Sequence, residues 1–202
     1  MRSRICDVTG RDVPRETVDR LALYVELLID ETSRQNLIAN STLDDLWRRH
    51  ILDSAQLLRF TPKGLWVDIG SGAGLPGLVI AIISGDLVTL VEPRRLRFEF
   101  LCLVKERLGL SNVTAIKGKA NSITEKFDRI TARAVAPATE LLAMTHHLSR
   151  PGTIWFLPKG RTAQKELDEV CATWQGSFRL EPSLTDPEAS ILLASDVRRR
   201  AE

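Results

Sequence analysis

Apolar residues along the first sixty positions recur with a helical period. Val18, Leu21, Val25, Leu28 and Ile29 fall on one stripe between Pro14 and Ser33, and Pro14 suits a first turn, where its missing N–H costs nothing. A second helix is predicted from an N-cap at Ser41, with Leu43, Leu46, Trp47, Ile51, Ala55 and Leu58 on its apolar face and Pro62 as its stop. Past Gly64 the period changes. Short apolar runs ("LWVDI", "LVTLVE", "NVTAIK", "FDRITARAV", "GTIWFLPKG") alternate with helical patterns over 75–84, 94–108, 137–148 and 162–174. Such alternation predicts βα units and a parallel sheet covered by helices on both faces. "SFRLEPSL" and "ASILLASDV", separated by "TDPE", read as a closing antiparallel hairpin. The expected organisation is a small helical N-terminal region over 1–60 feeding an α/β domain over 61–202. Trp66 and Trp155 fall in strands, and Trp47 and Trp174 on helix stripes, so all four read as core.

Composition narrows the class. With 44% apolar and 27% charged residues the 202-residue chain is an ordinary soluble globular protein. No apolar run reaches the ~18 residues of a membrane span, and "MRSRICDVTGRD" lacks the apolar core of a signal peptide. A cytoplasmic location and no membrane partner are expected. Cys6, Cys102 and Cys171 lack disulfide or zinc spacing, and no metal site is expected. His146 and His147 are adjacent on a helix, point to different faces and cannot chelate one metal. The formal charge of +2 is too small by itself to announce a nucleic-acid binder. Basic residues nevertheless cluster in Arg48 and Arg49, in Arg94, Arg95 and Arg97, in Lys117 and Lys119, and in Arg198 to Arg200.

Candidate chemistry centres on "VDIGSGAGLPGLVIAI", Val67 to Ile82, which places four glycines at a strand-to-helix turn. Glycines there let backbone approach a ligand at the carboxyl end of a parallel strand. Gly72, Gly74 and Gly77 match the dinucleotide pattern GxGxxG, whereas Asp68 with Gly70, Gly72 and Gly74 matches the DxGxGxG of S-adenosylmethionine (SAM) sites. Glu92, about 20 residues on at the end of the second strand, is placed to bond ribose hydroxyls in either class. Asp68 suits a cationic sulfonium better than a pyrophosphate, and the C-terminal hairpin is the ending typical of SAM-dependent methyltransferases. The expected fold is therefore that Rossmann-like one. No GK[ST] follows the glycines, which excludes a P-loop. The chain also lacks an NPPY-like segment for exocyclic amines and a Pro-Cys nucleophile for C5 pyrimidine attack. An acceptor with a free lone pair, such as guanine N7, needs positioning and no general base.

"NLIANSTLDDLWRRHILDS", "VDIGSGAGLPGLVIAI", "VEPRRLRFEFL" and "ITARAVAP", in this order and spacing, resemble the 16S ribosomal RNA guanine-N7 methyltransferase family (RsmG, also called GidB). The resemblance covers about Asn36 to Gly160. It implies SAM-dependent methyl transfer to N7 of a guanine in the 530 loop of 16S rRNA. It also implies that Gly70 and Leu75 line the SAM site, with Ala120 and Asn121 near the adenine and Arg133 at the edge facing the RNA or the methionine end. Asn121 stands where the family usually carries an acid, which shifts the adenine contact toward the Ala120 backbone.

Arg133 falls at the end of a predicted strand, where a guanidinium would hold a phosphate or carboxylate without exchanging a proton. Lys159, ending the next strand, is a candidate for the RNA backbone, with Asn36, Arg48, Arg49, Arg94 and Arg95. His50 lies at helical spacing from Leu43, Leu46 and Trp47. It and Asp53 fit either an architectural role packing the N-terminal helices or a positioning role at the pocket. The expected partner is 16S rRNA or the small ribosomal subunit, with no obligate protein partner and a monomeric state. Two other readings stay open: an NAD-dependent oxidoreductase using GxGxxG, and a non-catalytic ribosome-assembly factor on a vestigial SAM fold.

Overall fold

The computed structural model describes residues 1–61 and 63–200. The chain opens with α1 (Arg2–Thr9) and α2 (Arg15–Thr32). The first is not announced by the sequence pattern, because only Ile5 and Val8 give it an apolar face; Gly10, at φ 65°, ends it. The second matches the predicted helix, but Ile29, at the margin of the stripe, is 48% exposed.

The predicted helix from Ser41 is irregular. A 3₁₀ turn (Asn40–Asp45), a π-helical stretch (Trp47–Leu52), the short α3 (Asp53–Ala55) and a second 3₁₀ turn (Gln56–Phe60) follow one another. Ser41 is no N-cap: Ala39 occupies that position without a side-chain cap, and Thr42 Oγ1 donates to the Ala39 carbonyl at 2.6 Å. Within the π-helical stretch three successive residues, His50, Ile51 and Leu52, are all buried. The predicted stop at Pro62 lies outside the described residues.

The strands are β1 (Trp66–Ile69), β2 (Val88–Val91), β3 (Val113–Ile116), β4 (Phe127–Thr131), β5 (Ser149–Lys159), β6 (Trp174–Pro182) and β7 (Ser190–Arg199). They form one sheet in the order β3-β2-β1-β4-β5-β7-β6, parallel from β3 to β5 and closed by the antiparallel β6–β7 hairpin. The helices between them are α4 (Gly77–Ser84), α5 (Arg95–Arg107), α6 (Ala138–Thr145) and α7 (Ala163–Thr173). Trp174 is the first residue of β6 and remains buried, while Arg198 and Arg199 belong to β7.

The predicted helix from Leu75 begins at Gly77, after a cis Leu75–Pro76 peptide. Its first six residues are all buried. A helix apolar all round needs cover on both sides. Here the sheet covers one side and the N-terminal helices the other: Leu21, Leu28, Ile51 and Leu57 share one core with Leu78, Ile80, Leu90 and Phe156. Burial of each such Leu or Ile stabilises by about 1.5–3 kcal/mol. The N-terminal region is thus one wall of the main core. A second core under α6 and α7 gathers Ile130, Leu142, Trp155 and Leu192.

Candidate active site

The connections that follow β1 to β6 converge at the carboxyl edge of the sheet. The first, between β1 and α4, is the glycine turn, where Gly70, Gly72 and Gly74 have φ of 67°, 54° and 90°. These left-handed values suit glycine, and space forbids a side chain at two of the positions. A Cβ on Gly70 would lie 2.6 Å from Val135 Cγ2, and one on Gly74 would lie 2.2 Å from Leu78 Cδ1. At Gly72 the nearest group is the Arg97 guanidinium, 3.6 Å from such a Cβ, so this glycine faces the open side of the turn.

Glu92, 2% exposed, braces the turn: one carboxylate oxygen accepts Gly72 N–H and the other Arg94 N–H, both at 2.8 Å. A carboxylate has about four acceptor positions, so capacity remains for two hydroxyl donors. Asp68 lies beneath the turn rather than lining it. Its Oδ2 accepts Gly77 N–H at 3.1 Å at the start of α4, and its Oδ1 is buried with no partner. Burial pushes its carboxyl up to about 7, against the Gly77 hydrogen bond. Above the next strand, Ala120 is buried in a single 3₁₀ turn (Ala120–Ser122), its carbonyl 3.1 Å from His147 Nε2, and Asn121 is exposed. Leu75, 4% exposed, packs into the core side of the turn.

Sequence pattern did not single out Tyr24 for the site. Its hydroxyl, on α2, donates to the Ala73 carbonyl at 2.8 Å, fully buried, and burial raises its pKa. The sole tyrosine therefore ties the N-terminal region to the glycine turn.

Beyond Val135 the edge opens into a cleft of about 700 Å³ between the Asn40–Phe60 segment, the ends of β4 and β5 and the β6–β7 connection. Arg133 lies on its wall, two residues past the end of β4, where strand was expected to continue. Ala134 has φ 56°, which turns the chain out of the ladder. The Arg133 guanidinium lies 3.5 Å from Asp53 Oδ2, 3.5 Å from the Arg49 carbonyl and 3.3 Å from His50 Nδ1. His50 Nε2 is 2.8 Å from Thr42 Oγ1, whose own hydrogen is given to Ala39. That arrangement assigns the proton to Nε2 and leaves Nδ1 as acceptor. Burial, then the Arg133 and Arg49 charges, push the His50 pKa down to about 4, so the ring is neutral at pH 7.

Asp53 Oδ1 accepts from Gln56 Nε2 and Thr185 Oγ1, both at 2.9 Å, and Gln56 Oε1 accepts Leu184 N–H at 2.8 Å. These bonds stitch the N-terminal segment to the β6–β7 connection across the cleft.

The predicted cations differ in availability. Arg48 is committed to Asp45 and, at 2.7 Å, to the Thr185 carbonyl. Lys159, with an 8% exposed side chain, is paired to Glu166 at 2.7 Å and donates to the Ala136 carbonyl at 3.2 Å. Burial pushes the Glu166 carboxyl up, but donors from Lys159, Ala138 and Thr162 outweigh it and hold the carboxyl below the usual range. Arg95 pairs with Glu99 on the surface of α5. Arg49 and Arg94 are exposed, as is Asn36. Lys117 and Lys119 are exposed after β3, and the Arg97 guanidinium lies beside Gly72. Among the described residues no His, Cys, Asp and Glu group could hold a metal, and no helix is long and apolar enough to cross a membrane.

The fold is shared with solved methyltransferase-type structures. A mutant of MtNAS solved in complex with S-adenosylmethionine superposes with a TM-score of 0.59 at 20% identity, over 87% of this chain and 74% of that one. Precorrin-6y C5,15-methyltransferase from Geobacter metallireducens gives 0.53 at 12% identity, over 79% and 90%. Sequence relatives are much nearer. The ribosomal RNA small subunit methyltransferase G of Rhizorhabdus wittichii is 47% identical over 201 residues, covering 96% of this chain and 92% of its own. The Zymomonas mobilis protein of the same name is 45% identical over 202 residues, covering 94% and 90%. The model of the GidB family, rRNA small subunit methyltransferase G, matches residues 17–183. With the glycine turn, its bracing carboxylates and most of the adjoining cleft inside that span, the chain belongs to the rRNA small subunit methyltransferase G family.

Proposed function

We propose that the protein transfers the methyl group of SAM to N7 of a guanine in the 530 loop of 16S rRNA. The observation that carries this reading is the adjacency of a glycine turn built for close backbone approach and a 700 Å³ cleft at the ends of β4 and β5, in a chain of this family.

The residues fit the cofactor. Gly70, Gly72 and Gly74 let backbone approach it, Glu92 has acceptor capacity left for ribose hydroxyls, and the Ala120 turn forms the adenine side. Leu75 supports the turn from the core. Asp68 fixes the start of α4 and places a buried carboxylate under the cationic end. SAM supplies an electrophilic methyl group. The chain's own part is positioning, because guanine N7 offers a lone pair without losing a proton. Neutral His50 fits that role: it orients Arg133 and has no proton to receive. Arg133 presents donors to the acceptor or to the methionine carboxylate. A positive charge is present at the site before and after transfer, so a free ammonium beside it would oppose binding; Glu166 neutralises the one buried at the cleft, Lys159.

RNA phosphates meet Arg49, Arg94, Arg97, Lys117 and Lys119, whose cations have no carboxylate partner among the described residues. Each phosphate contact removed should lower the salt dependence of binding by about one ion. The protein acts as a cytoplasmic monomer without an obligate protein partner.

The test is incubation with labelled SAM and small-subunit rRNA or particles, followed by mapping of the methylated nucleotide. N7-methylguanine in the 530 loop is expected. Label on another base would discard the site assignment, and SAM binding without transfer would favour a non-catalytic assembly role. Binding of NAD in place of SAM would restore the oxidoreductase reading.

A further inference from the structure

The connection from β4 to α6, residues 132–137, carries Arg133 and rests Val135 against Gly70, so it touches both the cleft and the glycine turn. It holds Ala134 at φ 56°, a conformation an alanine adopts only when its surroundings impose it. Two later elements hold the residues that follow it. Lys159, ending β5, donates to the Ala136 carbonyl at 3.2 Å. Glu166, in the first turn of α7, accepts the Ala138 N–H at 2.8 Å, pairs with Lys159 at 2.7 Å and accepts from Thr162 Oγ1 at 3.1 Å. The connection is therefore gripped on both sides of Pro137 by one half-buried ion pair. Ala138 opens α6, whose first amides have no intrahelical acceptor, so the distant carboxylate also caps that helix.

We propose that Glu166, acting with Lys159, is a positioning residue for methyl transfer, holding the 132–137 connection so that Arg133 stands at the cleft. The proposal rests on the methyltransferase reading above. It assigns Lys159 to the protein's own backbone and not to RNA phosphates.

The test compares Glu166→Ala, Glu166→Gln and Lys159→Met with the native chain. Arg161→Ala, which breaks the exposed Arg161–Glu188 pair, serves as a control. Three quantities are read: hydrogen exchange of residues 132–138, SAM affinity, and the single-turnover rate of methyl transfer to small-subunit RNA well below the melting temperature. For Glu166→Ala we expect at least tenfold faster exchange confined to this segment, a rate at least tenfold lower, and a SAM dissociation constant within twofold of native. Lys159→Met should behave alike. Glu166→Gln keeps an oxygen for the Ala138 amide and should recover part of the rate, and it substitutes for the alanine variant if that one fails to fold. Faster exchange with an unchanged rate overturns the proposal. A rate loss matched by an equal loss of SAM binding assigns the pair to structure alone and also overturns it. Absence of transfer by the native chain would defeat the functional reading itself, a result distinct from native transfer that the variants leave unaltered.

Discussion

Asp68 shows how one buried atom sets a pH response. Its carboxyl is raised to about 7 because it is fully buried and Oδ1 has no partner. A carboxyl raised in the folded state holds its proton more tightly there than in the unfolded chain. Its stabilising effect is complete below about 4 and is lost as pH rises through about 7. Asp68→Asn retains an acceptor for Gly77 and cannot ionise. Its melting temperature relative to native should climb between pH 4 and 7 and level off above, by an amount worth on the order of a few kcal/mol. A difference independent of pH would show that Asp68 is ionised throughout. His50 acts in the opposite direction: its pKa is depressed, so its contribution is present above about 6.5 and is lost as pH falls toward 4. Arg133→Ala should lower methyl transfer at least tenfold with a melting temperature near native, since its protein contacts are no shorter than 3.3 Å. Unchanged transfer would remove it from the site.

At the scale of elements, two glycines with similar backbone angles separate strain from function. Gly85, at φ 69° in the cap of α4, has open space where a Cβ would stand, whereas a Cβ on Gly74 would strike Leu78 and Leu101. Gly85→Ala should cost about 1 kcal/mol in chemical denaturation and leave SAM affinity intact. Gly74→Ala should cost more and abolish SAM binding by calorimetry. Tyr24→Phe leaves the buried Ala73 carbonyl without its donor and should cost about 1–3 kcal/mol, with weaker SAM binding although the residue lies on α2.

Elements also mark what the chain made legible. The strands, the mostly parallel sheet with its closing hairpin and the glycine turn could be read because period, glycine spacing and the acid at Glu92 are local signals. The split of residues 40–60 into 3₁₀, π and α turns was not, since the burial of His50, Ile51 and Leu52 is decided by partners far away in sequence. Trp174 misled for a related reason: α7 stops at Thr173 because the next residue pairs with Arg199 in the hairpin. Motif spacing pointed to Asp68 and Glu92, and the resemblance and strand-end position to Arg133. None of these could show that Lys159 faces Glu166, or that Tyr24 and Gln56 reach the site from helices of their own.

For the whole molecule, the shared core predicts that the N-terminal sixty residues cannot be removed cleanly. Residues 61–200 alone would expose the outer face of α4, with Leu78 and Ile82 among its apolar residues, and should aggregate or melt without a cooperative transition. The intact chain should melt in one transition by calorimetry. Two resolved transitions would mean that the helical wall folds independently.

The bonds from Asp53 and Gln56 to Ser183, Leu184 and Thr185 span about 130 positions of sequence. Their consequence lies in the order of synthesis. The helical wall leaves the ribosome first, has no apolar partner until α4 follows, and cannot satisfy Gln56 until the final hairpin is made. A nascent chain halted before Ser183 would carry the glycine turn and its acids, yet one rim of the acceptor cleft would be missing. Competence for methyl transfer would then arrive abruptly, once Ser183 to Thr185 have been made.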